Sequence, residues 1–155
     1  MTQSCEHHKG CIEDAMLKAE ILCREQNVLL TPLRQRVLKL VWEGGHSAVK
    51  AYDLLEQLQK IEPSAKPITV YRSLDFLLEN RLIHKLESQN SFIGCSHPAQ
   101  QHHCTFLICK LCHEVKECCN NGKLLEAITA NIDSELFLVE RVTLEIQGLC
   151  KGCMQ

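Results

Sequence analysis

No stretch of this chain is apolar for the roughly 20 consecutive residues that a bilayer-spanning helix needs, and no apolar run marks its N-terminal region. Neither a membrane span nor a secretory signal is expected. An excess of one charge is missing too: 17 Lys and Arg face 19 Asp and Glu, a net charge of −2. That balance argues against indiscriminate coating of nucleic acid by the whole surface, although it leaves room for local patches. No Ser/His/Asp or Cys/His set stands in a recognisable structural setting, so an enzyme is not expected. What remains is a chain of 155 residues, 45% apolar, able to form one real core or two small ones.

Cysteine, by contrast, is abundant. There are 11, an odd number. Without export, so many thiols suit metal ligation or a reduced, cytoplasmic setting better than a disulfide framework. Four of them form two Cys-x-x-Cys pairs, Cys109 with Cys112 and Cys150 with Cys153, separated by residues 113–149. Each pair can pinch a metal from a tight turn, and two pairs complete a closed tetrahedral sulfur site. That donor set suits structural Zn²⁺. Closing so long a gap pins the end of the sequence onto its middle and organises a small domain within residues 84–155. A redox dithiol fits less well, because no βαβ pattern surrounds the first pair and no helix follows the second.

The charges are unevenly spread. Between Thr31 and Arg72, Arg34, Arg36, Lys39, Lys50, Lys60, Lys66 and Arg72 outnumber Glu43, Asp53, Glu56 and Glu62. From His84 onward acids outnumber bases. The first half therefore reads as the part that meets a polyanion and the second as the part that binds metal.

Periodicity makes the first half helical. An amphipathic stretch over 12–27 carries Ile21, Leu22 and Val28, with Cys23 expected in its core. Thr31-Pro32 opens the next helix, and Gly44-Gly45 stops it. Ala51, Leu54, Leu55 and Leu58 mark a third helix ending before Pro63. Lys66-Pro67 opens a fourth, with Val70, Leu74, Leu77 and Leu78 inward. Leu82–Glu87 and Ser91–Gly94 then read as a hairpin turning at Gln89-Asn90. Helices followed by a hairpin make a winged helix, whose last helix enters the major groove. Its expected contacts are Thr69, Tyr71, Arg72 and Ser73, with Lys66 against phosphate.

Leu30-Thr31-Pro32-Leu33-Arg34-Gln35-Arg36-Val37-Leu38, Ala51-Tyr52-Asp53-Leu54-Leu55, Lys66–Leu77, His84–Ser88 and the paired Cys-x-x-Cys, in that order, resemble the ferric uptake regulator family of metal-dependent repressors, and within it the zinc uptake regulator branch. The resemblance covers residues 11–153. It implies an α+β chain. A mobile N-terminus (1–10) precedes a winged-helix DNA-binding domain (11–95), a hinge and metal-binding loop (96–104) and a small α/β dimerisation domain with structural zinc (105–155). Strands are expected near 105–108, 113–116 and 138–146, and a helix near 123–133, with Leu124, Leu125, Ile128 and Ile132 at core spacing.

The implied activity is zinc-dependent repression of zinc-uptake genes by a homodimer on palindromic operator DNA. The alternative is an iron, manganese, nickel or peroxide sensor of the same family. Two zinc ions per chain are implied, one structural and one regulatory. The regulatory ligands implied by the resemblance are His84, Cys95, His102 and Glu117, a donor set that suits tetrahedral Zn²⁺. His102-His103-Cys104 offers three adjacent donors, so the His102 assignment could slip by one. His97, Cys118 and Cys119 are nearby donors, and Cys5, His7, His8 and Cys11 cluster outside the matched region. Tyr52 resembles another DNA-contacting position. Glu56 falls where the branch places an acid for contacts between neighbouring dimers, but Gln59 replaces its basic partner.

Overall fold

Capping chemistry sets where the second helix begins and ends. In the computed structural model, which describes residues 8–99, 104–119, 123–133, 135–139 and 142–154, Thr31 Oγ1 accepts a hydrogen bond from the Arg34 N–H. Pro32 fills the first helical position and Gly44 closes the helix. The elements of the first half are α1 (His8–Glu25), α2 (Pro32–Glu43), β1 (Val49–Lys50), α3 (Ala51–Ile61), α4 (Pro67–Glu79), β2 (Ile83–Leu86) and β3 (Ser91–Gly94). Those of the second half are β4 (Cys104–Cys109), β5 (Val115–Cys119), α5 (Lys123–Thr129) and β6 (Leu144–Gly148), followed by a 3-10 turn at Lys151–Cys153. The chain divides into two compact units, Met1–Ala99 and Gln100–Gln155.

The first unit is a winged helix. Val37, Leu38 and Val41 of α2 meet Leu54 and Leu58 of α3 and Val70, Leu74 and Leu77 of α4 in one apolar cluster, joined by Leu22 and the buried Cys23 of α1. Ile21 does not belong to it and is exposed, because it lies one position off the buried stripe. The wing has three strands, in the order β1-β3-β2. The expected hairpin is there, with Leu86 opposite Ser91 and Ile83 opposite Gly94. β1 was not expected: two residues are too few to show an alternation, and they pair with Ser91 and Phe92. A glycine is required at 94, where a Cβ would lie 2.3 Å from the Trp42 ring. α1 begins at His8, earlier than the expected start and inside the segment expected to be mobile.

In the second unit β4 is central, antiparallel to β5 and parallel to β6. The third strand is shorter than expected. It starts at Leu144 opposite Thr105, next to the first residue of β4, and Leu138 is 81% exposed. β5 starts later than expected because His113 takes a positive φ of 60° in the turn after Cys112. α5 is also shorter than expected. Its Leu124 and Ile128, together with Ile132 beyond it, face outward rather than into a core of this chain.

Candidate metal centre and nucleic-acid interface

Two turns carry the four-sulfur site. Cys109 ends β4, and the next N–H, of Lys110, still donates to the Gly148 carbonyl at 2.9 Å, prolonging the parallel ladder. The chain then reverses: the His113 N–H donates back to the Cys109 carbonyl at 3.0 Å, leaving Cys112 on the turn. Beyond β6, the Cys153 N–H donates to the Cys150 carbonyl at 2.9 Å and forms a second knuckle. Parallel pairing of β4 with β6 brings the two knuckles together, and the four Sγ atoms lie within 4.8 Å of one another. Cys112 and Cys150 are 3.6 Å apart at sulfur. Zn–S bonds of about 2.3 Å in a tetrahedron separate sulfurs by about 3.8 Å, so the cage has the right size for Zn²⁺.

The protonation pattern points the same way. Backbone N–H groups of Cys112 and Cys150 point at the Cys109 sulfur and lower its pKa from 9.0 to about 6. The Cys153 thiol, hydrogen-bonded first to Cys150 and then to Cys112, is pushed up to about 12. Cys112 also rises, the donation from the Glu114 N–H being outweighed by neighbouring thiols and burial. Cys109 is thus ready to ligate, while Cys112 and Cys153 keep their protons until a cation displaces them.

The residues implied for the regulatory site are distributed as follows. His84 is buried on β2 opposite Ile93. Cys95 follows β3 and is buried, its N–H donating to the Leu82 carbonyl at 3.0 Å. Glu117 lies on β5, where its Oε1 accepts a hydrogen bond from the Cys104 thiol at 3.1 Å. His102 and His103 lie outside the described residues, as do Cys5 and His7 and the side chains of His8 and Cys119. Cys104 is therefore the donor observed beside Glu117. Cys118 points to the opposite face of β5 from Glu117, since neighbours along a strand alternate, so it does not take that carboxylate's place. His97 and Cys11 are exposed. No disulfide forms among the described cysteines.

On α4 the outward face carries Ile68, Tyr71 and Arg72, with Lys66 at the N-cap. Thr69 is half-buried. Ser73 corrects the expectation drawn from sequence. It is 3% exposed, and its hydroxyl donates back to the Thr69 carbonyl at 3.0 Å, because position 73 falls beside Val70, Leu74 and Leu77 on the core stripe. It is not available to DNA. Tyr52, in the first turn of α3, is 74% exposed.

Arg34, counted by charge among the polyanion contacts, turns inward. Its guanidinium stacks 3.6 Å from the centre of the Phe76 ring on α4 and donates to the Leu29 carbonyl. Arg36 pairs with Glu62. Glu56 pairs within its helix with Lys60, and Gln59 donates to the Ala65 carbonyl. Among the described residues no helix is long and apolar enough to cross a membrane.

Residues 25–147 match the model of the ferric uptake regulator family. The chain is 40% identical over 149 residues to the zinc uptake regulation proteins of Escherichia coli (strain K12) and Shigella flexneri, covering 95% of this chain and 85% of each relative. Among solved structures it is similar to a zinc uptake regulator complexed with zinc and DNA, with a TM-score of 0.82 and 40% identity over 92% of this chain and 95% of that one. It is also similar to holo XcZur, with a TM-score of 0.80 and 38% identity over 90% and 96%. A winged helix with an exposed arginine on its last helix, a four-cysteine cage of zinc dimensions and these likenesses agree: the chain belongs to the ferric uptake regulator family.

Proposed function

We propose that this chain is a zinc-responsive transcriptional repressor that binds operator DNA as a homodimer when loaded with zinc and silences zinc-uptake genes. The observation that carries this reading is the pairing, in one chain, of a winged helix with an outward Tyr71–Arg72 face and a donor inventory rich in thiolate. Thiolates favour zinc over the hard octahedral metals and weigh against manganese or iron as the effector. Regulators of this family are not enzymes, and this one acts in the cytoplasm, where operators are.

Residues 11–95 read DNA, 96–104 form the hinge loop and 105–155 dimerise. Leu124, Ile128, Ile132, Leu136 and Phe137 leave a large apolar surface on the second unit, which a second copy covers. Twofold symmetry then presents two α4 helices to half-sites about 34–36 Å apart and makes the operator palindromic.

Cys109, Cys112, Cys150 and Cys153 hold the structural zinc. His84, Cys95, His102 and Glu117 form the exchangeable set, with Cys104 competing for the His102 position. Zinc supplies a charge-neutralising tetrahedral crosslink when bound. Arg72 reads guanine, Tyr52, Tyr71 and Thr69 contribute further contacts and Lys66 neutralises phosphate. The effector shifts the protein toward its DNA-competent form only by as much as it binds that form better.

Fluorescence-anisotropy titrations of operator DNA test the reading. Removing the exchangeable zinc while leaving the cysteine cage filled should weaken binding by about 5–150-fold. Equal affinity with and without that zinc would overturn it.

A further inference from the structure

Ile68 has no structural employment. It stands at the second position of α4, outside the apolar cluster that holds the four helices together, and is 55% exposed. A single exposed isoleucine is ordinary on a protein surface. This one is not isolated. Tyr71, three residues on, is 52% exposed, and Arg72, four residues on, is exposed as well. Residues three and four apart are surface neighbours on a helix. The three side chains therefore form one outward group, with a branched aliphatic at its leading edge.

Polarity along α4 decides which end of that face meets DNA. Lys66 stands at the N-cap, where the positive end of the helix dipole adds to its charge. Farther along, the exposed residues are Asp75 and Glu79, which phosphates repel. The first turn and a half is the end suited to a polyanion, and the N-terminal residues of a reading helix are those that reach base edges. In the major groove an apolar side chain has one specific partner, the C5-methyl of thymine. The flanking Tyr71 and Arg72 satisfy the polar edges beside it.

We infer that Ile68 is a specificity-determining residue that recognises the methyl group of one thymine in each operator half-site. The inference rests on the operator-binding reading above. It adds a preference that hydrogen bonding cannot supply, because removing the methyl leaves every base-pair hydrogen bond intact.

Deoxyuridine substitution isolates that methyl. Full-length zinc-loaded protein would first select its operator from a randomised duplex pool, and each thymine of the winner would then be replaced in turn by deoxyuridine. One symmetry-related pair should weaken binding by about fourfold per half-site, the equivalent of one buried methylene-sized group. Ile68→Ala should weaken binding to the thymine duplex and leave it indifferent to that replacement. Ile68→Val, which keeps the branch, should retain the sensitivity. Arg72→Ala should lower affinity yet keep the response to the missing methyl.

Sensitivity that survives in Ile68→Ala overturns the inference, as does a wild-type protein indifferent to every replacement while still enriching an operator. A protein that enriches no sequence overturns the operator-binding reading and, with it, the thymine contact.

Discussion

Arg34 and Arg72 carry the same charge in the same basic half of the chain and have opposite employments. Arg72 faces solvent on the reading helix. Arg72→Ala should cost about 1–3 kcal/mol of operator affinity and relax discrimination against scrambled duplexes. Arg34 lies flat on Phe76 and holds the Leu29 carbonyl, tying the loop before α2 to the back of α4. Arg34→Met should destabilise the first unit by about 1–3 kcal/mol in thermal unfolding. It should leave unchanged the slope of log affinity against log salt, which a lost phosphate contact would reduce. Arg34→Lys should rescue little, because an ammonium cannot stack as a guanidinium plane does. Sequence could not separate the two arginines, since charge counting is blind to direction. It misassigned Ser73 for a related reason: small polar residues fit a core stripe when they hydrogen-bond back one turn, as Ser73 does to Thr69.

Elements with strong local signals were legible. Thr31-Pro32 and Gly44 mark the ends of α2 by cap chemistry that needs no tertiary context, and the hairpin from Ile83 to Gly94 follows from two short runs around the Gln89-Asn90 turn. β1 and the length of β6 were not, because both are set by the partner strand. A two-residue strand exists only because Phe92 and Ser91 are there to pair with it, and β6 starts only where β4 offers Thr105. The four-cysteine site was fully legible, since spacing alone paired its knuckles; Cys104 beside Glu117 was visible only as one of several adjacent donors. Cys109→Ser should empty the cage and unfold the second unit or abolish the dimer, which metal counting and light scattering would show.

Acid should act on the same cage in a definite direction. Above pH 6 the Cys109 proton is already gone and does not oppose the metal; below it, that proton competes. The pH dependence of zinc affinity in a chelator competition should therefore steepen by about one proton below pH 6.

At the scale of the whole molecule, the outward apolar residues of the second unit make sense only once a second copy is present. Sequence placed Leu124, Ile128 and Ile132 at core spacing, and in the proposed dimer the core they serve is shared between chains. Replacing Ile128 and Ile132 together by Glu should yield monomers by sedimentation and weaken operator binding, since one chain reads only one half-site. Neighbouring dimers should show little salt-sensitive cooperativity on long operators, because Glu56 is engaged with Lys60 and Gln59 with Ala65.

The parallel pairing of β4 with β6 also bears on how the protein is made. The middle strand of the second sheet waits for a neighbour encoded some forty residues downstream. At about 5–20 residues per second of synthesis, the DNA-reading unit is complete roughly three to ten seconds before Cys153 leaves the ribosome. For about two to eight of those seconds, between Cys112 and Cys150, every nascent copy exposes half a zinc site, so metal scarcity is felt by the newborn chain before it ever meets a promoter.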